Sequence, residues 1–177
     1  MNPRLAVPHR LFRLLAMLWV GSLLTIGYAA APVLFTTLDR ASAGNVAAQL
    51  FRIEGWMGAV CGVMLLALAN GLIRRGEPVW RQPRRLVAGM LACVLLGYFA
   101  LEPFMDALRV AAQAAGTDVG HSAYAVRFGW LHGAATVFYG VESVLALMLV
   151  WTLPAGGAGT VAAVNPPRDP AGGRMMG

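Results

Sequence analysis

Arg127–Trp151 reads RFGWLHGAATVFYGVESVLALMLVW. A hydrocarbon core of roughly 30 Å takes about 20 apolar residues per helical crossing. This stretch is long enough to cross, yet it carries His132 and Glu142. Ionisable groups at membrane depth are costly, and they mark functional candidates by default.

Three further runs of the same kind precede it. The expected crossings are 11–35, 46–73, 86–105 and 127–152, which leaves little chain for a soluble domain. The composition agrees: 58% of the 177 residues are hydrophobic and 12% are charged, against about a quarter charged in an ordinary soluble domain. The expected fold is an all-α integral membrane protein, a four-helix transmembrane bundle spanning 11–152. A short N-terminal segment, 1–10, precedes it. The Pro/Gly/Ala-rich tail 153–177 has no periodic apolar face and is expected to be disordered. The run Leu14–Phe35 exceeds a secretory h-region of roughly 7–15 residues, so a retained first helix is expected.

The net charge of +6 comes from 14 arginines and no lysine. Those charges sit in short loops beside apolar runs, where they report orientation and not a nucleic-acid partner. Ten of the fourteen fall on one side: Arg4, Arg10, Arg13, the five in Arg74–Arg85, Arg168 and Arg174. Arginine excess marks the cytoplasmic side, so both termini are expected there. Asp106–Tyr124 then lies outside, with a short interfacial helix over Leu108–Ala114 ended by Gly116 and Gly120. Ser42 or Asn45 is the expected cap of the second helix.

Small residues mark close helix approaches. Ser22, Thr25, Ala29 and Pro32 recur at helical spacing, and Gly58-x-x-x-Gly62 fits a tight crossing. One internal echo is visible: Tyr28…Pro32…Leu38 resembles Tyr98…Pro103…Leu108, as a duplicated helical hairpin would.

Ala31-Pro32-Val33-Leu34-Phe35, Glu102-Pro103-Phe104-Met105 and Phe128-Gly129-Trp130-Leu131-His132-Gly133 occur in this order. Together they resemble a bacterial membrane family of unknown function related to the transmembrane-protein-205-like proteins. The resemblance covers about residues 11–152 and implies a four-helix protein of the bacterial inner membrane, with no assigned activity. More distantly the arrangement resembles copper-resistance D-type membrane domains, which would imply metal handling, although the histidines here are few and scattered.

Three groups of residues could carry chemistry. His132, Thr136, Tyr139 and Ser143 share one helical face. They are expected to face the bundle interior, with Glu142 beside them, as a proton or ligand path. Arg52, Glu54, Glu102, Asp106 and Arg127 gather at the outer helix ends, where opposite charges are expected to pair. Met57, Cys61 and Met64 share a face of helix two opposite Met90 and Cys93 on helix three. Such soft ligands would select copper(I), whereas ordinary sulfur packing would look the same. No cofactor is otherwise predicted. His121 and His132, eleven residues apart, would lie about 16 Å apart along a helix axis, too far to share one haem iron.

Nothing resembles a nucleotide loop, a hydrolase elbow or an HExxH helix, so the expectation leans away from an enzyme. The expected role is a small-solute or metal-handling component, or a membrane partner subunit that could assemble with itself. The alternative is a cofactor-binding oxidoreductase subunit.

Overall fold

A computed structural model describes residues 3–153; the expected tail beyond them lies outside the described residues. Four spans are long and apolar enough to cross a membrane: Val7–Thr37, Arg40–Arg74, Pro78–Ala114 and Ala125–Thr152. No strand occurs among the described residues. The first span comprises α1 (Pro3–Thr25), a π turn (Ile26–Ala30) and α2 (Ala31–Thr37). The second is α3 (Arg40–Arg74). The third comprises α4 (Arg81–Val94), a second π turn (Leu95–Ala100) and α5 (Glu102–Ala114). The fourth is α6 (Ala125–Thr152).

The helices run past the predicted boundaries at most ends. Only the apolar part of each must lie in hydrocarbon, and long arginine side chains let polar turns continue the helix at the interface. The start of α3 shows what sets a true boundary. Asp39, not Ser42 or Asn45, is its cap: Oδ1 accepts from the Ala41 and Ser42 backbone N–H groups at 3.1 and 3.0 Å. Gly76 (φ 91°) and Gly116 (φ 73°) turn the chain out of α3 and α5, in the left-handed region that glycine enters without steric cost.

Both π turns have the same local cause. Pro32 and Pro103 lack an N–H and crowd the carbonyl four residues back. The turns before them widen to i→i+5 pairing, as the Ala31 N–H bond to the Ile26 carbonyl shows. Each π turn carries a Gly-Tyr pair, Gly27-Tyr28 or Gly97-Tyr98, so the sequence echo coincides with a repeated backbone feature.

Around the bundle, α1 packs on α3 and α6, and α4 packs on α3 and α6. Helices α1 and α4 are therefore diagonal, as are α3 and α6. Phe12, Trp19, Leu23, Leu65, Met90 and Leu149 fill the middle and are fully buried. Gly58 and Gly62 serve the Trp19 ring: a Cβ at Gly58 would sit 2.7 Å from the indole nitrogen, and one at Gly62 would sit 3.2 Å from the ring. At the arginine-rich end a clasp ties α1 to the α3–α4 link. Glu77 Oε2 accepts from Trp80 Nε1 at 3.0 Å and pairs with His9 Nε2 at 2.8 Å. His9 also stacks on buried Trp80.

Candidate functional site

Glu142 on α6 and Glu54 on α3 are the most buried carboxyl groups described, 3% and 4% exposed. Their helices are diagonal and do not pack on each other. Trp19, reaching in from α1, fills the space between them. Its indole N–H faces both carboxyls but closes a hydrogen bond to neither. Glu54 Oε1, Glu142 Oε1 and Trp19 Nε1 are all buried without a partner. The sequence folds this way because Glu54, Gly58, Cys61 and Leu65 share one helical face, and that face is the buried one.

Tyr139, just under one turn from Glu142, lies within the field of both carboxyls. Its hydroxyl donates to the Leu23 carbonyl. The hydroxyl thus reaches the last turn of α1, just before the π turn. Gly27 makes room for it: a Cβ there would lie within 2.4 Å of the tyrosine ring. Phe51 meets that ring edge-on at 5.4 Å, and Tyr28 lies 6.3 Å away. Ser143, also buried, donates to the Tyr139 carbonyl at 2.8 Å and so is satisfied within its own helix.

The other half of the same α6 face behaves differently. His132 and Thr136 are exposed, contrary to the expected inward placement. The cause is α2, which packs on α3 and not on α6. A Cβ added at Gly129, Gly133 or Gly140 would meet nothing within 4 Å. Thr136 bonds back to the His132 carbonyl at 2.8 Å, and the His132 ring stacks on Phe128.

The expected charge cluster divides. Arg109 Nη1 lies 3.0 Å from Asp106 Oδ1 and 3.7 Å from Glu102 Oε1, with its guanidinium over the Phe128 ring. Arg52 is exposed, in the field of Glu102 and beside Tyr98. Arg127 lines a separate groove of about 540 Å³ between α5 and α6, with Leu101, Phe104, Trp130 and Leu131. Glu54 belongs to the core. Sequence reasoning missed Arg109 as the cluster's cation, although its i,i+3 and i,i+7 spacing to Asp106 and Glu102 places all three on one helical face.

The sulfur residues do not form one group. Cys61 and Met90 lie in the apolar core and Met57 packs against it, whereas Met64 is exposed. Cys61 sits in the field of Glu54 and Cys93 in that of Glu142. Both thiols are free and buried. Among the described residues no group of three or more His, Cys, Asp or Glu converges on one point.

Residues 14–114 match the family profile described as a domain of unknown function, DUF4149. The chain belongs to this family. The match runs from α1 to α5, so it includes Trp19, Glu54 and both π turns, while Tyr139 and Glu142 lie beyond it. No curated protein and no solved structure matches the chain.

Proposed function

We propose that this DUF4149 protein handles small cations in the membrane, with the proton as its cargo and Glu54 and Glu142 as the binding pair. The observation that carries the reading is the pair itself: two buried carboxyls with unpartnered oxygens, facing one indole N–H at the centre of a bundle. Two uncompensated negative charges in such a place are costly. Protons, or one small cation shared between the carboxyls, would remove that cost. Trp19, a donor only, offers its N–H to whichever carboxyl is ionised and so stabilises a single charge on either α3 or α6.

The ten-to-four arginine asymmetry supports an inner-membrane orientation with both termini and the Arg74–Arg85 link in the cytoplasm. The α5 end then faces outward, and α5 lies near the interface.

The test uses the full chain in proteoliposomes with a trapped pH dye, under an imposed pH gradient. Dicyclohexylcarbodiimide, a lipid-soluble reagent for protonated carboxyls, provides a second readout by mass mapping. The expected result is labelling at Glu54 or Glu142 and loss of most proton flux in Glu54→Gln and Glu142→Gln. Unchanged flux in the folded double variant would sink the proposal.

A further inference from the structure

Burial along one face of α6 changes in steps. His132 and Thr136 are exposed, Tyr139 is half-buried, and Ser143 and Glu142 are buried. The step falls at Tyr139, the residue whose hydroxyl donates to the Leu23 carbonyl just before the π turn of the first span. On the far side of the carboxyl pair, towards the arginine-rich end, the core is closed. Phe12, Leu65, Ala69, Leu72, Met90 and Leu149 form an apolar plug with almost no exposed surface.

We propose that the carboxyl pair is reached from the α5 end along the uncovered face bearing His132 and Thr136, and that Tyr139 is the gate on that route. This rests on the proton-site reading for its purpose, but not for its geometry. Two features make Tyr139 a gate and not ordinary packing. It stands at the step in burial on α6, between exposed Thr136 and buried Glu142, and within the field of both carboxyls. A single long-range hydrogen bond, to the Leu23 carbonyl, holds it closed. The accepting carbonyl, Leu23, lies in the last turn of α1, just before the π turn Ile26–Ala30. The groups around the gated pair are Trp19 from α1, Cys61 on α3, Cys93 on α4, and Tyr139 and Ser143 on α6, with Tyr28 and Phe51 around the gate itself.

The two native cysteines report on the gate, because each sits in the field of one carboxyl and is buried. Reaction of Cys61 and Cys93 with a small water-soluble methanethiosulfonate should be slow in the wild-type protein in lipid. Tyr139→Phe removes the hydroxyl and keeps the ring. Gly27→Ala pushes the ring off its seat. Both should accelerate thiol modification several-fold. A general loosening of the bundle is separated from gating by Ala69→Cys in the apolar plug, which should stay slow in both backgrounds. Unchanged Cys61 and Cys93 rates in both variants would overturn the proposal, as would an equal acceleration at Ala69→Cys. The thiol rates are compared between variants that keep both carboxyls, at one pH, so they read access and not proton flux. Failure of the gate and failure of the proton reading therefore give different results.

Discussion

The molecule has two halves of one design, and they differ where it counts. In the first, α1, a Gly27-Tyr28 π turn and α2 lead into α3, which carries Glu54. In the second, α4, a Gly97-Tyr98 π turn and α5 lead into α6, which carries Glu142. The halves interlock so that equivalent helices are diagonal. Each half contributes one inward carboxyl. Just before the first π turn, however, sits a foreign hydroxyl, that of Tyr139, whereas at the second the residue against Gly97 is Phe138, which carries no hydroxyl. A repeated backbone feature has thus become a polar latch in one half and a packing contact in the other. The shared proline creates the π turn in both halves, whereas the residue opposite decides its use.

The largest test of that contrast exchanges the two glycines for alanine. A Cβ at Gly27 would lie 2.4 Å from Tyr139, and one at Gly97 would lie 3.0 Å from the Phe138 Cβ. Gly27→Ala should cost about 2 kcal/mol by overpacking, and Gly97→Ala less than about 1 kcal/mol. Unfolding in detergent measures both, and equal losses would mean that the two turns are equivalent after all. A smaller effect separates the arginines. Arg109 compensates two carboxylates in the second half, and its loss should cost about 1 kcal/mol. Arg52, exposed in the first half, should cost close to nothing. A larger loss for Arg52→Gln than for Arg109→Gln would overturn the assignment of Arg109 as the central cation.

The four spans were legible because a backbone in hydrocarbon must satisfy its own hydrogen bonds, so run length alone identifies a helix. Glu142 was legible as a charge in the middle of such a run. Glu54 was read as an interfacial charge because Arg52 and Trp56 flank it, yet its spacing to Gly58, Cys61 and Leu65 already pointed inward. His132 shows the opposite failure. Its phase matches that of Tyr139 and Ser143, and phase was expected to mean burial. Whether a helical face is covered depends on the neighbour, and here α2 lies against α3 alone. The insertion of Tyr139 beside Leu23, 116 residues away in the chain, leaves no local trace in either segment. A pairing of that separation is a property of the packed bundle.

The smallest expected effect compares the two capped links at the α5 end. Asp39 starts α3, and Asp118 caps the short turn Val119–His121 before α6. Hydrogen bonds from the Ser42 side chain and then its backbone hold the Asp39 carboxyl below its ordinary value of 3.8. For Asp118 the bond with the His121 ring comes first, helped by the Gly120 N–H, again lowering it from 3.8. A carboxyl lowered by folding contributes stability that is complete above its unfolded value and is lost as pH falls through the folded one. Both caps should therefore hold at neutral pH and release only in acid below 3.8. Amide NMR shifts of Ser42 and His121 during acid titration read the two events separately. Asp39→Asn should keep the cap, because asparagine caps about as well as aspartate, and should abolish the titration at Ser42. Asp118→Asn should in addition weaken the link to the His121 ring, since a neutral amide is a poorer partner than a carboxylate. Shifts that titrate at or above the ordinary carboxyl value at both sites would show that neither aspartate is held as a cap, and the start of α3 would then need another explanation.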